Sequence, residues 1–225
     1  MAKTMDKGAG FEPRQKQFLE LVSQNPYLTK NFYLTGGTAL SAFYLHHRES
    51  HDLDLFSEKE IYLPKIRQFL DANKRLLGLV KIDHNPFLGL QSFLLTYKNK
   101  DLLKVDFNFY PYPRIEKGIK WKNIAVDSEI DIAANKIHTI STRARTRDFI
   151  DLFLLSVKNK FDVNGIRMLA KAKFDWDIDP IRLSQIFLKV NEYQDMPRMF
   201  IPFNSKEMEK FYTKLAKSLK SEIFK

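Results

Sequence analysis

The chain has no cysteine. That excludes a disulfide scaffold, a thiolate nucleophile and any zinc site built on Cys ligands. It also lacks a long apolar run: no stretch approaches the roughly 18 to 20 uninterrupted hydrophobic residues needed to cross a bilayer, so no membrane partner is expected. The opening Met1-Ala2-Lys3-Thr4-Met5-Asp6 is polar and without the apolar segment of a secretory signal, which makes the cytoplasm the expected location. Two catalytic signatures are missing as well. There is no Walker A loop, and no Gly-x-Ser-x-Gly elbow or Ser/His/Asp arrangement. Positive charge is what the chain has in excess. Thirty-seven Lys and Arg against 27 Asp and Glu give a formal charge of +10, which favours polyanionic partners such as RNA, DNA or nucleotide phosphates, although the same excess also serves solubility.

With 225 residues, 44% of them hydrophobic, the chain can bury one large core or two small ones. Hydropathy spacing divides it near residue 127. The first ten residues read as disordered. Helical spacing runs from Pro13 to about Ser23, and a short apolar strand, Asn31 to Thr35, ends at Gly36-Gly37. A helix follows from Thr38 to about His47, then a strand from Asp52 to Phe56 and a helix from Pro64 to about Arg75. Further strands are expected near Leu79–Asp83, Gly89–Tyr97, Leu102–Tyr110 and Trp121–Val126. Beyond Asp127-Ser128 helical spacing dominates, through Ile130, Ala133, Ala134, Ile137 and Ile140, then Phe149, Leu152 and Phe153. Helices are also expected over about 163–173, 180–192 and 204–223. No internal repeat or low-complexity segment interrupts the pattern.

The chemistry-bearing residues fall in a particular order. Gly36-Gly37, with Thr38 beside it, joins a strand to a helix, a turn that can present backbone N–H groups to a phosphate. Thr38 can add its hydroxyl or act as an N-cap. Asp52 and Asp54 then alternate with Leu53 and Leu55, so both carboxylates share one face of their strand. Asp106 arrives on another alternating strand, Lys104-Val105-Asp106-Phe107-Asn108-Phe109, able to face the same cavity. Unpaired carboxylates crowded together repel, and a hard divalent cation such as Mg²⁺ removes the penalty while bringing a triphosphate with it. An acidic pair or a Gly-Gly turn alone is commonplace. Their succession points to a metal-dependent nucleotidyltransferase. Arg48 and Ser50, just before the acidic strand, can contact phosphate or base or organise the loop.

Gly36-Gly37-Thr38-Ala39-Leu40, followed by Arg48-x-Ser50-x-Asp52-Leu53-Asp54-Leu55-Phe56, resembles the first motif of the AbiEii/AbiGii nucleotidyltransferase toxins. These belong to the DNA polymerase β-like nucleotidyltransferase superfamily and occur in type IV toxin–antitoxin and abortive-infection systems. A second segment, Asp131-Ile132-Ala133-Ala134-Asn135-Lys136 continuing through Arg143, Arg147-Asp148 and Asp151, is similar to the family's Lys…Arg…Arg-Asp-x-x-Asp motif. The resemblance spans about residues 30 to 155. It implies an α+β fold: a polymerase β-like mixed sheet with flanking helices over 11–127, then a helical C-terminal domain over 128–225. It further implies a growth-inhibiting toxin with a separately encoded antitoxin, an NTP donor and an acceptor that is tRNA or another RNA. Protein nucleotidylation, or nucleotide or antitoxin binding without turnover, are the alternatives.

In this reading Asp52, Asp54 and Asp106 hold Mg²⁺, and Gly36, Gly37 and Thr38 hold phosphate. Lys136, with Arg143 or Arg147, neutralises the triphosphate. Asp148 orients Lys136 or acts on the acceptor proton, and Asp151 shares its helical face. The other reading of these charges is an ion-pair network between helices.

His46, His47 and His51 would suit a transition metal rather than Mg²⁺ and are set aside. Phe107, Phe109, Tyr110 and Tyr112 read as core. Lys206, Lys210, Lys214 and Lys217, opposite Met208, Phe211, Leu215 and Leu219, read as the wet face of a docked helix.

Overall fold

A computed structural model describes residues 10–223, apart from the side chains of Ser221 and Ile223. Of the first ten residues, read as disordered, 1–9 lie outside the described residues. The chain forms two compact units. The first comprises the chain up to Tyr44 with Ser50–Pro113 and Lys117–Ser128; the second comprises Glu129 onward with the short segments Leu45–Glu49 and Arg114–Glu116.

The first unit is a mixed seven-stranded sheet with flanking helices. Helix α1 (Pro13–Val22) starts cleanly because Pro13 occupies its first position and Glu12 and Gln15 cap one another. Helix α2 (Pro26–Asn31) is capped by Asn25, whose side chain accepts from Leu28 N. Strand β1 (Tyr33–Thr35) runs into α3 (Gly36–Ala39), which widens into a π-helical stretch over Leu40–Leu45. Then come β2 (Leu53–Ser57) and α4 (Leu63–Leu77), the latter stopped by Gly78 at φ 71°. Strands β3 (Leu79–Phe87), β4 (Leu90–Tyr97), β5 (Leu102–Phe109), β6 (Lys120–Trp121) and β7 (Ile124–Val126) complete the sheet in the order β3-β4-β5-β2-β1-β7-β6. Pairings β1–β7 and β2–β5 are parallel; the others are antiparallel.

Alternation decides which face is core. Leu53, Leu55, Phe93, Leu95, Val105 and Phe107 are buried on one side, where Phe107 meets Phe32 and Phe93 edge-on. Their neighbours in sequence, among them Asp54, Asp106 and Ser92, lie on the other side.

The second unit is helical: α5 (Glu129–Arg143), α6 (Thr146–Asn159), α7 (Val163–Phe174), α8 (Pro180–Leu188), α9 (Ser205–Ser218) and α10 (Lys220–Ile223). Its core joins Ile132, Ala133, Ile137 and Ile140 of α5 to Phe149, Leu152 and Leu155 of α6. Tyr212 of α9 is fully buried, its ring 5.1 Å from those of Phe149 and Phe187 and its hydroxyl donating to the Phe149 carbonyl. Asp131 is also buried. It accepts from Ile115 N and Glu116 N and pairs with Lys173 at 2.7 Å, clasping Arg114–Glu116 to the helices.

Three local expectations are revised. The single strand expected over Trp121–Val126 is a hairpin, because Lys122 adopts φ 50° and turns the chain within two residues. Asn31, expected to open the strand before Gly36, instead ends helix α2, which is held by its Asn25 cap. Tyr110 and Tyr112, read as core, are only half-buried, as is Phe109. On α9, Met208, Tyr212 and Ala216 are buried while Lys206, Lys210, Lys214 and Lys217 are exposed, as an amphipathic helix requires.

Candidate active site

Strand register brings the acidic residues of the sheet together. Thr35 pairs with Asp54 across β1–β2, Asp54 with Asp106 across β2–β5, and Asp106 with Ser92 across β5–β4. Directly paired residues share a face, so these four form one polar row across four strands. Asp52 lies immediately before β2. Extending the parallel register Leu53↔Val105 by one residue sets Asp52 opposite Lys104, making a block of Asp52 and Asp54 against Lys104 and Asp106.

Each member of the row is fixed by its neighbours. Thr35 donates to Asp127 Oδ2 at 2.6 Å, and Tyr44 donates to the Asp127 carbonyl. Gly36 sits at φ 73°, a left-handed conformation that suits glycine, and a β-carbon built there would overlap the Asp54 carboxylate. The turn therefore needs glycine twice over, for its backbone and for the room it leaves Asp54. Thr38 is buried, its hydroxyl within hydrogen-bond reach of the Asp52 carbonyl and of Ser50 Oγ (2.9 Å). It ties the start of α3 to the segment entering the acidic strand, so neither N-capping nor direct exposure describes it. Asp106 is nearly buried: Ser92 donates to its Oδ1 at 2.6 Å, and Lys104 Nζ pairs with its Oδ2. Burial works to lower the Lys104 pKa, but the hydrogen bond to Asp106 and the charges of Asp106, Asp52 and Asp54 raise it above its ordinary value.

The second motif gathers around one carboxylate. Asp151 of α6 is fully buried and takes Arg48 Nε and Nη2 at 2.7 Å each, His47 Nε2 at 2.8 Å and Lys136 Nζ at 2.6 Å. Lys136 of α5 also bonds Asp148 Oδ1 at 2.7 Å. Burial pushes the Asp151 carboxyl up, but the charges of Lys136 and Arg48 and hydrogen bonds from Arg48 and His47 outweigh it and hold the group well below the ordinary carboxylate range. Burial likewise works to lower the Lys136 pKa, and Asp151 and Asp148 raise it above normal. The guanidinium of Arg48 is 2% exposed and also donates to the Glu49 carbonyl. Arg143, at the end of α5, is exposed, and Arg147 is half-buried. His51 Nδ1 lies 2.6 Å from Glu12 Oε1.

Comparison with known proteins settles the family. The model of the nucleotidyl transferase AbiEii toxins of type IV toxin–antitoxin systems matches residues 19–221. The chain belongs to the AbiEii family. A protein of Aquifex aeolicus (strain VF5), aq_aa25, is 32% identical over 151 residues, 65% of this chain and 68% of the relative. Two crystal structures from Helicobacter pylori share the fold. JHP933 superposes with a TM-score of 0.57 at 17% identity, covering 93% of this chain and 91% of its own. A candidate nucleotidyltransferase superposes with a TM-score of 0.58 at 19% identity, covering 93% and 94%. This AbiEii chain is thus a nucleotidyltransferase with a mixed sheet and a helical C-terminal region, of a family that implies an antitoxin partner. No helix among the described residues is long and apolar enough to cross a membrane.

Nucleotidyltransferases typically use a divalent metal, and the AbiEii sheet offers a fitting donor set. Asp54 and Asp106 are hard oxygen donors in register, and Gly36 leaves space at the Asp54 carboxylate. Among the described residues, however, no three His, Asp or Glu side chains already surround a common point. Asp106 is turned to Ser92 and Lys104 instead. Sequence reasoning missed Lys104, Ser92 and Asp127. The signal for Lys104 was present, since it stands two residues from Asp106 in the same alternating strand. No local pattern signals Ser92 or Asp127, which reach the row only through strand pairing.

Proposed function

We propose that this AbiEii nucleotidyltransferase transfers a nucleoside monophosphate from an NTP to an RNA acceptor, with tRNA foremost, at a Mg²⁺ site made by Asp52, Asp54 and Asp106. The observation that supports it is the in-register Asp54–Asp106 pair beside Gly36, with Asp52 one step away on the same strand face. The acceptor hydroxyl loses its proton, its oxygen bonds to the α-phosphorus, and the α–β bridging bond breaks to release pyrophosphate. Mg²⁺ bound to these carboxylates would supply charge neutralisation for the triphosphate. The chain itself presents the N–H groups of Gly36 and Gly37 to phosphate, with Thr38 and Ser50 fixing the approach of Asp52. From the second motif, Arg143 and Arg147 offer charge to phosphates, and Asp148 and Asp151 orient the Lys136 ammonium. Growth arrest by depletion of a functional RNA, relieved by the antitoxin, is the expected outcome in the cell.

The test is Asp52→Ala and Asp54→Ala, each incubated with total RNA and each labelled NTP in turn. Loss of labelled product and of growth arrest in both variants is expected. Transfer persisting in either variant rules the site out. Label appearing in protein rather than RNA moves the acceptor to protein and leaves the site standing. Nucleotide binding without any product across both acceptors favours a non-catalytic role.

A further inference from the structure

Lys104 is a cation in contact with the acidic row, and the proposed chemistry does not use it. It stands two residues from Asp106 on β5, so both side chains leave the same face of the sheet. Its ammonium occupies Asp106 Oδ2 while the Ser92 hydroxyl occupies Oδ1, so both oxygens of Asp106 are engaged. The register places Asp54 opposite Asp106, and continuing it one residue before Leu53 brings Asp52 toward Lys104. A monovalent cation thus sits among three carboxylates, which is the charge environment a divalent cation requires. No three of the acidic side chains among the described residues surround a common point as they stand. A metal ion held by Asp106 and Asp54 would compete with the Lys104 ammonium for Asp106, because an ammonium and a divalent ion a few ångströms apart repel.

We propose that Lys104 is a resident counter-cation of the metal site, neutralising the acidic row when no metal is bound and yielding Asp106 Oδ2 to the metal when it enters. The inference rests on the Mg²⁺ reading of Asp52, Asp54 and Asp106 given above. Its consequence is that metal affinity in the absence of nucleotide is held down by an internal competitor. The displaced ammonium, on its flexible four-carbon stem, is left beside the place where the incoming triphosphate brings negative charge, so nucleotide helps metal to bind. The 41% exposure of the Lys104 side chain gives it room to swing without disturbing the core.

The experiment is a Mn²⁺ titration of the full chain followed by electron paramagnetic resonance, with and without a non-hydrolysable NTP, for wild type, Lys104→Met, Lys104→Arg and Asp106→Asn. Lys104→Met is expected to bind Mn²⁺ about five- to tenfold more tightly than wild type without nucleotide, the change expected from removing one nearby like charge at a partly exposed site. Nucleotide should improve Mn²⁺ affinity less in Lys104→Met than in wild type. Lys104→Arg should restore wild-type behaviour, and Asp106→Asn should bind weakly in either condition. Melting curves give a second readout: metal should raise the Tm of Lys104→Met more than that of wild type. Wild-type binding with unchanged or weaker affinity in Lys104→Met overturns the role of Lys104 and leaves the metal site intact. Failure of wild type and Lys104→Met alike to bind Mn²⁺, even with nucleotide, overturns the metal site and this inference with it.

Discussion

Asp151 shows how much one side chain can carry. Four donor atoms from Arg48, His47 and Lys136 converge on its two buried oxygens. Burying charge is costly, and the cost is offset only when every partner is in place. Asp151→Asn leaves Arg48 and Lys136 buried without their shared counter-charge, and a loss of about 3–5 kcal/mol is expected from such a change. The measurement is the shift of the urea unfolding midpoint at neutral pH. The pH dependence follows from the direction of the Asp151 shift. Because its folded pKa lies below the unfolded value of about 3.9, the stabilisation is complete above that pH and is lost as pH falls from there toward the folded pKa. Wild type should therefore lose urea resistance faster than Asp151→Asn on acidification below about pH 4. A parallel pH profile in the two proteins would contradict the ion-pair account. Only half of this cluster was legible in the sequence. Lys136, Asp148 and Asp151 follow helical spacing and a family motif, whereas Arg48 reaches Asp151 across 103 residues, a distance no local periodicity reports.

At the scale of elements, the turn from β1 into α3 and the entry into β2 act as one piece. The joint is Thr38, whose hydroxyl reaches the Asp52 carbonyl and Ser50 Oγ. Thr38→Val keeps the shape and removes the hydroxyl, leaving that buried contact unmade at a cost of about 1–3 kcal/mol. If the contact sets the approach of Asp52, nucleotidyl transfer should fall by tenfold or more, on the order of 1.4 kcal/mol or more in the barrier, while the far-UV circular dichroism spectrum is unchanged. Full activity with lowered stability would make Thr38 a structural brace only. Elements with strong alternation were readable in advance, β2, β4 and β5 among them, because one face is apolar and the other polar. The β6–β7 hairpin was not. Its turn depends on Lys122 accepting a left-handed backbone, and nothing in the composition of Trp121–Val126 announces that.

Over the whole molecule, the sequence revealed that acidic strands existed but not which of them were neighbours. Asp54 and Asp106 meet because β2 and β5 pair in parallel although β3 and β4 intervene in the chain, a property of sheet topology rather than of either strand. Net charge, by contrast, is readable from composition and bears directly on the acceptor. A formal charge of +10 suits a polyanion, which binds by displacing counterions, so affinity falls steeply with salt. If the acceptor is RNA held by about five phosphate contacts, the apparent KM for RNA should rise roughly a hundredfold between about 50 and about 200 mM monovalent salt. The KM for the NTP, a single small anion bound at a focused site, should rise far less over the same range. Steady-state rates measured with saturating NTP and varied RNA, then the reverse, separate the two. A KM for RNA that stays flat with salt would mean that the positive surface serves solubility, and that acceptor choice rests on the residues around the acidic row instead.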